Sequence, residues 1–143
     1  MLSLYVHWPY CESKCPYCDF NSHLIEDVDK DTWIKSYTNQ LYEYKSLLDR
    51  FGIKFDNLST IFFGGGTPSL MPLKIVDHIL NISCKIFRFK DDIEISLEAN
   101  PSSYERGKFK QIHKLGVNRI SIGVQSLNDK NLKIGRASCR ERV

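Results

Sequence analysis

A chain of 143 residues, 42% hydrophobic and 12% aromatic, is enough for one globular unit with a real core. No apolar run approaches the ~20 residues needed to span a bilayer. The net charge is +3, but Arg136, Arg140 and Arg142 against Glu141 supply +2 of it from residues 134–143. The remainder is near neutral, which leaves no electrostatic footprint for nucleic acid.

Nothing basic followed by an apolar core opens the chain, so no secretory signal is read there. Clustered cysteines without such a signal fit a reducing cytoplasm and metal binding better than disulfides.

In chain order, Ser3-Leu4-Tyr5-Val6-His7 alternates and is rich in strand formers, which predicts a first strand stopped by Trp8-Pro9. A cysteine loop then runs to about Ser22. Trp33, Tyr37, Leu41, Tyr44 and Leu48 recur at three- and four-residue spacing. They predict a helix from Asp29 to Arg50, its aromatic stripe a core face and Asp29 or Asp31 its cap. Gly52 and the polar Lys54–Asn57 segment make the return. Thr60-Ile61-Phe62-Phe63 is a short continuous apolar run, as expected of a strand buried on both faces. It leads into Gly64-Gly65-Gly66-Thr67-Pro68-Ser69.

Pro72, a favoured first-turn residue, starts a second helix reaching about Arg88. On it Val76, Leu80, Cys84 and Phe87 share a face, making Cys84 a buried small hydrophobe. Ile93 to Glu98 alternates as a third strand and ends at Ala99-Asn100-Pro101. Ser102 or Ser103 can cap a third helix carrying Phe109, Ile112 and Leu115, closed by Gly116 and weakened by Gly107. Arg119 to Gln125 is the fourth strand, and Asn128 or Asp129 opens another helix.

Alternating strands and helices with short connections predict an α/β fold with a parallel sheet built from βαβ units. The cysteines, the glycine triplet, Glu98 and Gln125 all fall where strands end, the edge at which parallel α/β architectures bind ligands. Four such units cannot close a barrel. An open part-barrel exposes a strand edge and uncovered helix faces, which predicts aggregation when it is expressed alone.

The chemistry centres on Cys11-Glu12-Ser13-Lys14-Cys15-Pro16-Tyr17-Cys18, a C-x3-C-x2-C pattern. Three thiols on one tight loop can converge on one inorganic centre. A structural zinc site is closed by four protein ligands. A [4Fe–4S] cluster normally takes four thiolates, so three leave one iron free to bind something else. The alternatives are a zinc site completed by His7 or His23, as in a zinc-binding structural module, and three reduced structural thiols. The glycine triplet brings backbone N–H and C=O groups close to a ligand without side-chain obstruction. It lacks the lysine of a phosphate-binding loop. Taken singly, Glu98 could be a solvated cap and Gln125 a structural hydrogen-bonder.

Tyr5 to Cys11 with Cys18 to His23, Phe63 to Ser69, Glu98-Ala99-Asn100-Pro101, and Gly116 to Ser126 together resemble the oxygen-independent coproporphyrinogen-III oxidase-like branch of the radical S-adenosylmethionine (SAM) superfamily. The likeness covers essentially all of residues 1–132. It implies the N-terminal part of a partial (β/α)6 radical SAM barrel, truncated, with parallel strands and helices outside. By the same resemblance Cys11, Cys15 and Cys18 hold a [4Fe–4S] cluster whose free iron takes SAM. Tyr5 and Tyr17 sit against SAM and cluster, Gly65, Gly66 and Thr67 approach SAM atoms, and Glu98 meets its ribose or amino-acid portion. Gln125 marks a neighbouring ligand position. The implied chemistry is electron transfer into the sulfonium, giving methionine and a 5′-deoxyadenosyl radical.

One departure discriminates within the branch. The oxidases resemble C-x3-C-x2-C-x-C, and here Phe20 stands at the fourth cysteine position. Cys18-Asp19-Phe20-Asn21-Ser22 is instead similar to the heme chaperone branch, which binds heme and hands it to client proteins. That implies a heme or porphyrin ligand and a heme-accepting client. The family pattern also places an arginine twelve residues after Gln125, whereas Arg136 follows by eleven. Residues 134–143, Ile-Gly-Arg-Ala-Ser-Cys-Arg-Glu-Arg-Val, resemble adapter read-through. The expected organisation is therefore an incomplete core domain over 1–133 and a non-native tail over 134–143, with no role for Arg136 or Cys139.

Overall fold

A strand that alternates apolar and polar side chains can be covered on one face only. Strand β1 (Leu2–Trp8) follows this rule: Val6 and Trp8 are buried and Leu2 and Leu4 half-buried, while Ser3, Tyr5 and His7 are exposed. The computed structural model describes residues 1–15, 18–25, 27–55, 57–101, 106–128 and Lys130. Its elements in order are β1, β2 (Tyr10–Cys11), β3 (His23–Leu24), α1 (Lys30–Arg50), β4 (Leu58–Gly65), α2 (Leu73–Phe87), β5 (Phe89–Ala99), α3 (Arg106–Lys114) and β6 (Arg119–Ile122). The long strands form one parallel sheet in the order β1-β4-β5-β6. This is the expected α/β fold, with each helix linking neighbouring parallel strands.

The register carries the side-chain alternation across the sheet. Tyr5 pairs with Phe62, Phe62 with Ser96, and Ser96 with Arg119, so these four share one face. Val6, Phe63, Leu97 and Ile120 share the other. The second face is the core. Ile61, Phe63 and Leu97 are each 0% exposed, and they pack with Tyr37 and Leu41 of α1, Val76 and Ile79 of α2, and Ile112 of α3. Asp29 caps α1 by accepting the N–H groups of Asp31 and Thr32.

Several expectations change. Phe62 is only half-buried, because helices cover the Ile61/Phe63 side of β4 and Phe62 looks the other way onto Tyr5. Tyr44 is 48% exposed, at the margin of the α1 stripe. Cys84 is exposed. The buried stripe of α2 runs through Ile75, Val76, Ile79, Leu80, Ser83 and Phe87, and Cys84 lies past its edge. Strand β5 begins at Phe89 rather than Ile93, and the polar Lys90-Asp91-Asp92 run hides its start. An irregular register absorbs the extra residues, since Leu58 pairs with Phe89 but Thr60 already pairs with Glu94. Strand β6 ends at Ile122, before Gln125. Gly116, at φ +113°, closes α3, while a Cβ at Gly107 would meet open space, so nothing in the structure explains that glycine. Ser102, Ser103, Asp129 and residues 131–143 lie outside the described residues.

Candidate functional site

The site begins where β1 stops. Pro9 ends the strand, and the chain re-enters as β2, which pairs in parallel with β3: Tyr10 with His23 and Cys11 with Leu24. The N–H of His23 donates to Pro9 O at 2.8 Å, and that of Ile25 to Cys11 O at 2.8 Å. The cysteine loop is thus closed at its base. Within it, Cys18 N–H donates to Cys15 O at 3.1 Å, and Ser22, 4% exposed, anchors its C-terminal side.

The glycine turn after β4 locks onto this loop. Gly66 N–H donates to Trp8 O at 2.7 Å, and Thr67 N–H donates to Tyr10 O at 2.8 Å. Side chains are excluded by that approach. A Cβ on Gly66 would lie 2.6 Å from Tyr10 O and 3.0 Å from Cys11 Sγ. Gly65 adopts φ +117°, a region that suits glycine, and a Cβ there would meet Trp8 O at 2.6 Å. The Gly65 N–H faces Glu98, whose Oε2 accepts from it at 3.3 Å. Thr67 Oγ1 donates to Cys11 Sγ at 3.5 Å and accepts from Asn100 Nδ2 at 3.3 Å.

Together these segments enclose a cleft of about 340 Å³ at the C-terminal ends of the strands. Cys11, Cys15, Cys18, Gly65, Gly66, Thr67, Glu98 and Gln125 all line it. Eight of the ten expected site residues therefore line one cleft. Tyr17 lies outside the described residues. Tyr5 sits beside the cleft rather than on its wall. Its ring stacks on Phe62 with centroids 6.1 Å apart, and its hydroxyl is 3.3 Å from His7 Nδ1. Partial burial, and then the Glu98 carboxylate, raise the Tyr5 hydroxyl above its usual pKa. Gln125 is exposed and donates to Gly123 O at 3.3 Å.

Sequence reasoning passed over Asn100, Ser121 and Phe20 as lining residues. The first two were within reach of a register reading, since Ser121 pairs with Glu98 and Asn100 follows the end of β5.

Among the described residues no three His, Cys, Asp or Glu side chains are gathered as a chelating group, so the three thiols share the cleft without meeting at one point. The donor set still suits a sulfur-ligated iron centre. Three free thiols, half-buried or exposed, front one cavity whose facing wall is glycine backbone. Neither His7 nor His23, the two histidines that could complete a zinc site with the thiols, lines this cleft.

A parallel sheet with a three-cysteine loop and a glycine turn lining one cleft at its C-terminal rim defines an α/β protein whose ligand site is built on its strand ends. Residues 5–143 match the radical SAM superfamily, and the chain belongs to it. The family implies a [4Fe–4S] cluster and SAM. The chain is 44% identical over 139 residues to the heme chaperone HemW of Haemophilus influenzae, covering 94% of this chain and 36% of that protein. It is 42% identical over 137 residues to HemW of Escherichia coli, covering 94% and 35%. Radical S-adenosyl methionine domain-containing protein 1, mitochondrial, of Bos taurus is 39% identical over 132 residues, covering 92% and 29%. Among solved structures, the coproporphyrinogen III oxidase HemN of Escherichia coli, a radical SAM enzyme, superposes with a TM-score of 0.77 at 27% identity, covering 93% of this chain and 30% of that one. The chain spans about a third of the length of these relatives.

Proposed function

We propose that this chain is the cluster- and SAM-holding part of a heme chaperone-like protein, which binds heme and delivers it to a client. In this reading Cys11, Cys15 and Cys18 hold the cluster and leave one iron open. Gly65, Gly66 and Thr67 bring the turn close to SAM, Glu98 receives its ribose or amino-acid portion, and Gln125 lies at the outer rim. Tyr5 and Tyr17 flank the pair. When bound, the cluster and SAM supply one-electron chemistry, while the protein binds, orients and shields them.

The observation that carries the chaperone reading is Phe20. It lines the cleft, 71% exposed, at the position where the oxidase pattern has a cysteine. The higher identity to the two HemW chaperones than to HemN supports the same choice. Coproporphyrinogen oxidation is the second reading, supported by the fold match to HemN.

The deciding experiment uses the full-length protein, reconstituted without oxygen. Heme binding followed by transfer to an apo-heme acceptor, without coproporphyrinogen turnover, is expected. Anaerobic decarboxylation of coproporphyrinogen would reverse the ordering. No helix of the described residues is long and apolar enough to cross a membrane, and a cytoplasmic site of action is part of the proposal. So is the non-native origin of residues 134–143, which native codons recurring in an independent genomic assembly would remove.

A further inference from the structure

The three cysteines are not equivalent. Among the described residues, Cys11 alone receives a side-chain hydrogen bond, from the Thr67 hydroxyl at 3.5 Å. Sulfur is a large, diffuse acceptor, so this length is within its hydrogen-bonding range. Thr67 is held firmly: it is 5% exposed, its own N–H donates to Tyr10 O at 2.8 Å, and the preceding Gly66 N–H donates to Trp8 O at 2.7 Å.

A hydroxyl has one hydrogen and two acceptor sites. Asn100 Nδ2 donates to Thr67 Oγ1 at 3.3 Å, which fills one acceptor site and leaves the hydrogen to point elsewhere. Cys11 Sγ is the acceptor on that side. The amide therefore sets the hydroxyl's direction. Asn100 and Thr67 come from the ends of two neighbouring strands, so the rigid sheet edge fixes the spacing of the relay.

We infer that the Asn100–Thr67 relay is a tuning device for the iron centre, acting through the Cys11 sulfur, with Asn100 a positioning residue. The inference rests on the cluster reading given above. A donor to a ligand sulfur withdraws electron density from it and favours the more negative, reduced form of the cluster, so it raises the reduction potential. It also assigns the Thr67 hydroxyl to the cluster side of the cleft, leaving the backbone of Gly65 and Gly66 for the organic cofactor.

The test is an EPR-monitored redox titration of the reconstituted full-length protein without SAM, with iron and sulfide content measured in parallel. Thr67→Val should shift the midpoint potential to a more negative value at unchanged iron content. Thr67→Ser, which keeps a hydroxyl, should return it toward the unsubstituted value. Asn100→Leu, which frees the hydroxyl to rotate, should give a smaller shift of the same sign, and it carries the test if Thr67→Val does not retain iron. Equal potentials in loaded Thr67→Val or Asn100→Leu protein would overturn the relay alone. Absence of iron–sulfur absorbance in the unsubstituted protein would overturn the cluster reading and the relay with it.

Discussion

On the helix side of the sheet Ile61, Phe63 and Leu97 are each 0% exposed, whereas on the opposite side Tyr5 is 57% exposed and Arg119 pairs with Glu94 in the open. The same strands supply both faces, because a period of two sorts alternate residues to opposite sides. The buried face holds the fold together. The open face and the rim above it carry Tyr5, the Glu94–Arg119 pair and the three clustered thiols. Substitutions on the two should therefore fail differently, one by unfolding and the other by loss of the site from a folded chain.

The largest effect is expected from breaking the covered face. Phe63→Ala should cost about 3–5 kcal/mol through lost burial and an unfilled cavity, a large share of an ordinary domain's stability. Urea unfolding of the full-length protein measures it. At the rim, Gly66→Ala places a Cβ 2.6 Å from Tyr10 O, and backbone cannot step aside as a flexible side chain can. Iron and sulfide uptake should fall severalfold while far-UV circular dichroism stays unchanged. Equal loss of both signals would erase the distinction between face and rim.

Tyr37 ties the two regions together, since its buried ring lies in the core and its hydroxyl donates to His7 O at 2.7 Å. Tyr37→Phe should cost about 1 kcal/mol near neutral pH. Burial, and secondarily Tyr10, raise the Tyr37 pKa well above its usual value, so the folded state keeps the proton longer than the unfolded chain. Its contribution is complete below about pH 10 and is lost as pH rises through the raised folded value. Melting temperatures at pH 8 and pH 11 should fall less steeply with pH in the Phe variant.

The smallest effect belongs to the exposed cap. Hydrogen bonds from the Thr32 side chain and backbone lower the Asp29 pKa in the folded state. That stabilisation is present above about pH 4 and disappears as pH falls through the lowered folded value. Asp29→Ala should slightly lower the melting temperature at pH 7 and flatten its decline in acid.

Periodicity made most of this legible in the sequence. Alternation in Leu4-Tyr5-Val6-His7 and the three-to-four spacing from Trp33 to Leu48 are direct images of which side is covered. The rim was legible as a set of strand ends. What pattern could not supply was contact across the chain. The glycine triplet read as a ligand loop, and Gly65 and Gly66 do line the cleft, but pattern did not show that a Cβ on either would meet the Trp8 or Tyr10 carbonyl at 2.6 Å. Cys84 fell on the wrong side because four spaced apolar residues fit two neighbouring stripes of α2, and only the packing of Ser83 against the core decides between them. The start of β5 was hidden because an irregular pairing tolerates Lys90-Asp91-Asp92 at an exposed strand end.

The hydrogen bonds from Gly66 and Thr67 to Trp8 and Tyr10 have a bearing on biosynthesis. The thiols leave the ribosome first, and the turn that seats the first of them follows only after all of α1 and β4 have been made. A nascent chain therefore carries its three clustered thiols for a long interval before their mount exists. On the cluster reading proposed above, iron insertion belongs after this assembly, and premature metal capture by the bare loop is the hazard that maturation has to avoid.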